Sequence, residues 1–580
     1  MISIIKKFNR LLERSQKKRV IILSFMMLVG ACLESLGVSL MLPLVSVIMQ
    51  PDIMETNRWI AKICRIFGIH SYRDFVVLCI VALIIIFVIK NLFLILQYYA
   101  QARFVFNNRL ATQCRLLHTF MMRPYEYYLN VNSGEIIRVL QRDVKMTYDL
   151  LTTVLKLAME LVISGVLIIT VFIVEPAMTI FIAVALMITL LAITKIVKPL
   201  LQREGLSIVK HTTLSNQWLL QAINGIKETK VTHKEEFFEA NYNISGRYTT
   251  KSEKWNYVFA NIPRQLIEMI SVCSVLILIA IMILMGKEIA LLIPSLGAFA
   301  IAAVKSLPSA NRIVVGFNDM AYQESALNSL LENLDLLENR EPDQPILQIE
   351  PKKDFKIESQ IELRGISYSY PDSHKAVLED TGCIIPVGKS VGIVGASGAG
   401  KTTVVDIMLG LLIPQKGQVL VDHIDIQENY VGWLSHIGYI PQMIFMLDDT
   451  IRANVAFGIP EKEIEDEKVW KALEEAQLAA FVRDLPRGLD TTIGERGIRL
   501  SGGQRQRIGI ARALYPDPEV LIFDEATSAL DNDTESSIME SINSLHGRKT
   551  MVIIAHRLQT IEGCDLVFRV EDGKIRKVGR

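Results

Sequence analysis

Residues 395–403 read "GASGAGKTT", and Gly395, Gly400, Lys401 and Thr402 fill the pattern G-x-x-x-x-G-K-[ST]. The preceding run "SVGIV" is apolar and strand-like, and the following "TVVDIMLGLL" has helical periodicity. A glycine-rich turn between strand and helix aims successive backbone N–H groups at one point, where the helix dipole favours an anion. Gly395, Ala396, Ser397, Gly398, Ala399, Gly400, Lys401, Thr402 and Thr403 are expected to cradle nucleotide phosphates. Lys401 would reach the β- and γ-phosphates and Thr402 would hold Mg2+.

A second set of residues completes that chemistry. "VLIFDE" (520–525) is a buried-strand run ending in two carboxylates. Asp524 is placed to hold the metal, directly or through a bound water, and Glu525 to polarise an attacking water. "LSGGQRQR" (500–507) opens another helix with a serine and glycines, a second anion-favouring N-terminus. Gln442 in "GYIPQ", Asp531 in "SALD" and His556 in "IIAHR" follow strand-like runs, where groups sensing a γ-phosphate belong. Any one of these alone is as well read as a helix cap or a satisfied core side chain. The full set in this order is not.

Such residues need a sheet whose strand ends converge, and the last ~225 residues alternate strand and helix patterns as an α/β domain requires. At 580 residues the chain exceeds one core, so at least two domains are expected. The residues are 51% hydrophobic and 21% charged, and the charge is unevenly spread. The net charge of +1 selects no partner. Seven scattered cysteines show neither a disulfide framework nor metal-ligand spacing.

Apolar stretches long enough to cross a bilayer fall at about 20–49, 75–100, 150–174, 177–196, 264–286 and 288–310. The first is too long for the core of a cleavable signal. Seven basic residues and one acid precede it, which places that end in the cytoplasm, and six spans return the C-terminus to the same side. Spans 3 and 4, and 5 and 6, are joined by very short turns. The connections at about 101–149 and 197–263 are long and polar, as helices extended into the cytoplasm would be, and their turns near 123–135 and 215–226 could be gripped by a soluble domain. The outer segment 51–74 has an amphipathic helical pattern around Trp59, suited to a lipid surface or to a lid over other loops. The expected division is a transmembrane domain at 1–332, a linker at 333–355 and a nucleotide-binding domain at 356–580.

Ionisable residues inside spans are costly unless they face a cavity or a partner. Glu34, Lys90, Arg264, Glu268, Lys305 and Arg312 qualify. Lys305 and Arg312, seven apart in "KSLPSANRI", share a helix face. Either they line a polar groove or span 6 leaves the bilayer at Lys305 and both are ordinary cytoplasmic cations.

The C-terminal set resembles the nucleotide-binding domain of ATP-binding cassette (ABC) transporters. That resemblance implies an α/β P-loop (RecA-like) fold in which ATP with Mg2+ lies between the P-loop of one copy and the signature of another. Tyr370 in "SYSYPDS" resembles the adenine-stacking aromatic, with Tyr368 two residues before it. Ser501, Gly502, Gly503 and Gln504 resemble the signature, Gln442 the sensor of metal and water, Glu525 the catalytic carboxylate and His556 the switch histidine. Asp531 and Glu495, the latter in "TTIGERG", resemble coupling positions. Six spans fused ahead of one cassette are similar to exporter half-transporters, which implies a six-helix all-α transmembrane domain of the type IV ABC exporter fold working as a homodimer.

End to end the chain resembles the PglK-type flippases of lipid-linked oligosaccharides, on "CLESLGVSLMLPL", "NIPRQLIE", "KSLPSANRI" and the outer helix. The resemblance implies a multi-pass protein of a bacterial inner membrane whose Arg264, Lys305 and Arg312 meet a substrate diphosphate. Exporters of a lipid A precursor, another lipid or a hydrophobic drug share the same motor. A peptide exporter with a leading cysteine-protease domain is disfavoured, since no Cys/His constellation precedes span 1. Nucleic-acid-associated ABC proteins lack membrane spans and are excluded.

Overall fold

The computed structural model describes residues 2–39, 71–131, 133–174, 198–284, 289–338, 356–524 apart from 372 and 374, 545–555 and 563–578, with isolated residues between and beside these ranges. The expected outer helix at 51–74 lies outside the described residues up to position 70, and the linker from 339 to 355 also lies outside them. The chain forms two compact units: Met1–Met121 with Ser133–Asn339, and Met122–Asn132 with Arg340–Arg580.

The first unit is helical throughout. A short amphipathic α1 (Ile2–Leu11) precedes α2 (Arg14–Ser39) and the 50-residue α3 (Tyr72–Met121). Beyond α4 (Tyr125–Asn130), which belongs to the second unit, come α5 (Ser133–Ile137), a π-helical turn at Arg138–Asp143 and α6 (Val144–Val174). Helices α7 (Lys198–Asn224), α8 (Ile226–Thr232), α9 (Glu235–Leu284) and α10 (Ile289–Glu338) complete it.

Pairing within this unit follows the apolar faces. Helix α6 lies along α10, α7 along α9, and α2 packs on both α3 and α6. Leu116, Leu150, Leu327 and Leu330 are fully buried where these helices meet. The π turn holds a buried carboxylate, Asp143, whose Oδ2 accepts from Arg138 at 2.8 Å and from the Ser329 hydroxyl of α10 at 2.9 Å. By contrast, α3 leaves Ile84, Ile85, Leu92 and Ile95 exposed, and among the described residues it is the one helix long and apolar enough to cross a membrane. Each of the other expected spans includes residues whose side chains lie outside the description.

The cassette unit contains two sheets. Strands β1 (Gln360–Tyr368), β2 (Leu378–Pro386), β4 (Lys416–Val421) and β5 (Ile424–Asp425) form an antiparallel sheet in the order β2-β1-β4-β5. The second sheet runs β10-β9-β3-β8-β7-β6. Its members are β3 (Ser390–Val394), β6 (Ile437–Ile440), β7 (Val520–Asp524), β8 (Thr550–Ile554), β9 (Leu566–Glu571) and β10 (Lys574–Val578). Every residue of β3, β7 and β8 is buried, which explains their unbroken apolar sequences: a parallel sheet is covered on both faces.

Candidate functional site

Strands β3, β8, β7 and β6 are parallel and in register, so their C-terminal ends share one edge. In open α/β sheets that edge is where ligands bind. Gly395 follows directly on β3, Asp524 ends β7, and Gln442 stands exposed two residues past β6. The described part of the β8 edge stops at Ala555, one residue before His556. His556, Glu525 and Asp531 lie outside the described residues, as does the side chain of Glu495.

The phosphate loop has the expected build. Its helix, α11, runs from Lys401 to Met408 with Gly400 as N-cap. Gly398 and Gly400 have φ of 76° and 100°, values an L side chain resists. Lys401 is buried and its Nζ donates to the carbonyls of Gly395 and Ala396, 3.0 Å each, so the ammonium sits within the curve of the loop. Ser397 and Thr402 are exposed and Thr403 is buried. With the buried carboxylate of Asp524 at the neighbouring strand end, these donors fit a nucleotide polyphosphate with Mg2+, whose positive charge would offset that of the phosphates.

Tyr368 and Tyr370 prove to have different environments. Tyr368 is almost fully buried, and its hydroxyl donates to Glu126 Oε1 of α4 at 3.0 Å. Tyr370 meets it edge to face at 5.3 Å, is partly exposed, and has its hydroxyl 3.1 Å from that of Thr403. Only Tyr370 has a face left to stack on a base. Helix α4 itself buries no residue completely, and the bond to Tyr368 is one of the contacts that hold it in the cassette unit.

Around the sheet edge, acidity is displaced. Burial, and next the Asp524 carboxylate, push Asp406 up to about 6. Burial and then the same Asp524 raise Tyr439, whose hydroxyl is 3.5 Å from Asp524 Oδ2.

The signature opens α12 (Gly502–Leu514) with a reciprocal cap. Ser501 Oγ accepts from Gln504 N at 3.2 Å, while Gln504 Oε1 accepts from Ser501 N at 2.9 Å. Gln504 is thereby committed to shaping the helix end, leaving Ser501 and the exposed Gly502 at its tip. The sequence reading passed over Arg512 on the same helix. It donates to the carbonyls of Asn454 and Phe445, 2.8 Å each, and so ties the loop following Gln442 to the signature helix. Its signal was a cation within the apolar pattern "IGIARAL".

The helical unit holds a cavity of about 400 Å3 whose mainly apolar wall carries several polar and charged side chains. Gln101, Lys156, Glu160, Asn311, Arg312 and Asp319 line it, with Gln97, Tyr98, Thr153 and apolar residues between them. Arg312 thus faces a cavity, as expected of a groove-lining cation, but it is not a free positive charge. Its Nε donates to Glu160 Oε1 of α6 at 2.6 Å, and Glu160 is buried. Glu160 was missed, although a lone acid in "LAMELVIS" carries the same cost argument applied to the cations. The side chains of Arg264 and Lys305 lie outside the description. Lys90 is buried with its ammonium 4.7 Å from the centre of the Phe87 ring.

Comparison with known proteins agrees with this architecture. Residues 44–300 match the family model of the ABC transporter transmembrane region, and residues 378–528 the family model described as ABC transporter. The chain belongs to the ABC transporter family as an exporter half-transporter: a transmembrane domain followed by a nucleotide-binding domain, in the type IV exporter fold. A bacterial Atm1-family ABC exporter solved with ATP bound superposes with a TM-score of 0.73 at 21% identity, over 97% of this chain and 95% of that one. The ATP-dependent lipid A-core flippase of Photorhabdus laumondii is 34% identical over 353 residues, 58% of this chain and 59% of its own length. That of Bordetella avium is 39% identical over 224 residues, 38% of each chain. The chain therefore spans less than two thirds of the curated relatives it matches.

Proposed function

We propose that the protein is an ATP-driven membrane translocase that moves an anionic glycolipid from the cytoplasmic to the outer leaflet. The observation that carries this reading is the cavity that places Arg312 and Lys156 in a mainly apolar wall, within a bundle whose helix α3 is apolar outside. A lipid headgroup can occupy such a cavity while its tail stays in the bilayer. The working unit is a homodimer in a bacterial inner membrane with both termini cytoplasmic. Each P-loop, with Lys401 and Tyr370, would bind ATP and Mg2+ against the partner's signature helix. Glu525 would orient the attacking water while Asp524 and Thr402 hold the metal. His556 and Gln442 would report on the γ-phosphate, and Asp531 and Glu495 would pass the closure onward. Two headgroup classes are the candidates: a polyprenyl-diphosphate oligosaccharide, which the end-to-end resemblance favours, and a lipid A precursor, which the names of the relatives favour.

Proteoliposomes containing the purified chain, ATP and either fluorescent lipid test the reading, with Glu525→Gln as the hydrolysis-dead control. ATP-dependent movement of one lipid between leaflets identifies it as the substrate. If neither lipid moves while ATP is hydrolysed, the flippase reading is wrong and the protein exports another amphipath.

A further inference from the structure

The cavity contains more than cations. Lys156 and Arg312 face two carboxylates, Glu160 and Asp319, so its charges nearly cancel. A phosphate about 4 Å from one carboxylate would be repelled by about 4 kcal/mol per unit charge at an effective dielectric of about 20. Electrically this is a poor diphosphate receptor. Its walls nevertheless present polar atoms in need of partners: Glu160 Oε2 and Gln101 Nε2 are buried without a hydrogen-bond partner, on residues that are each 5% exposed. Buried polar atoms in native proteins are nearly always paired, so each such atom calls for an explanation. Gln97 also lines the cavity and its Oε1 is likewise buried without a hydrogen-bond partner, but its amide is used in helix packing. Its Nε2 lies 3.5 Å from Met159 Sδ, and its carbonyl oxygen lies where a Cβ on Gly30 would have to go.

We propose that Glu160 and Gln101 form a subsite for the sugar hydroxyl groups of the transported lipid, separate from whatever residues meet its phosphate. The proposal rests on the glycolipid reading above and deepens it. A carboxylate oxygen accepts strongly from a hydroxyl, and an amide N–H donates to the next oxygen along a sugar ring. Tyr98 offers a ring face for the sugar's C–H surface, and the cavity volume of about 400 Å3 falls within the ordinary size of small-ligand sites. The Arg312 bond engages Oε1 and leaves Oε2 as the receptor atom.

The test measures binding of two probes to the full chain in nanodiscs: bare polyprenyl diphosphate, and the same lipid bearing one N-acetylhexosamine. Wild type should bind the sugar-bearing lipid about tenfold more tightly, the worth of one charge-assisted hydrogen bond. Gln101→Leu should abolish that preference while leaving the bare-lipid Kd within about twofold. It should also raise Tm, since it removes an unpaired buried amide. Glu160→Gln should reduce the preference by weakening the sugar-bearing lipid, since a neutral amide oxygen replaces the carboxylate acceptor. Equal affinity of wild type for both probes overturns the subsite alone. So does a sugar preference that survives both substitutions, or a Gln101→Leu protein that loses both lipids alike with a lowered Tm. A wild type that binds neither probe overturns the polyprenyl-diphosphate form of the glycolipid reading and the subsite with it.

Discussion

The Tyr368 hydroxyl donates to Glu126 across 242 residues of sequence, joining the first strand of the cassette to a short helix encoded between two long helices of the membrane half. Tyr368 also meets Tyr370 edge to face, and Tyr370 is in turn beside Thr403 of the phosphate loop. Glu126 is thereby three contacts from the nucleotide cradle. Tyr368→Phe removes the bond and keeps the ring, so its edge-to-face contact with Tyr370 stays in place. We expect its ATP affinity to stay within about twofold of wild type while lipid transported per ATP hydrolysed falls about five- to tenfold, the loss of a hydrogen bond to a charged group. Glu126→Gln, which retains an acceptor, should fall by less. Parallel ATPase and flipping measurements on one preparation decide it. Equal transport per ATP in Tyr368→Phe and wild type would show the contact to be structural only.

Asp406 supplies a pH dependence with a definite sign. Burial first and Asp524 second raise its folded pKa to about 6, against about 4 in an unfolded chain. Between those values the folded protein binds the extra proton, so this group makes folding more favourable as pH falls from 6 to 4. Above pH 6 it is a charged, half-buried liability of about 1 kcal/mol once solvent screening is allowed for. Asp406→Asn should therefore melt higher than wild type at pH 7.5, and the advantage should vanish near pH 4. Paired melting curves at several pH values measure this, and a gain independent of pH would be inconsistent with it.

Ser501 combines a cap with a place at the tip of the signature helix, and the two roles separate by substitution. Ser501→Ala removes the acceptor for Gln504 N and should cost about 1 kcal/mol. Ser501→Asp restores a good cap and with it most of the melting temperature. Its negative charge would oppose phosphates at that helix end, so ATPase activity should remain below that of Ser501→Ala. Recovery of activity along with stability in the aspartate variant would remove Ser501 from the nucleotide site.

These relationships differ in how far the sequence could carry them. The P-loop, the signature and the strand ending in Asp524 are local: glycine spacing, a serine three residues before a glutamine, and a buried run before a carboxylate specify their own geometry. The reciprocal Ser501–Gln504 cap could have been read from four letters. Tyr368 and Tyr370 could not be told apart in "SYSYPDS", because what separates them is Glu126, brought in by tertiary folding. The Arg312–Glu160 pair was half legible. Charge within an apolar run announces that a partner exists, but which residue answers depends on how α10 lies along α6, a packing register that no single segment encodes.

That pair yields an asymmetric prediction. Glu160 has 7% of its side chain exposed, whereas Arg312 has 53%, so the two single deletions leave very different remnants. Arg312→Gln strands a buried carboxylate, and breaking a fully buried pair costs roughly 3–5 kcal/mol. Partial exposure of the arginine, and protonation of the stranded acid, should bring the loss below that range. Glu160→Gln leaves a cation that can turn toward the water of the cavity, so its loss should be smaller still. The double variant should recover much of what Arg312→Gln loses, because no charge is then left unpaired. Thermal melts of the three variants in one detergent, repeated across pH, form the cycle. A double variant less stable than Arg312→Gln would mean that Glu160 is held chiefly by other partners, and that the arginine is free to meet a phosphate after all.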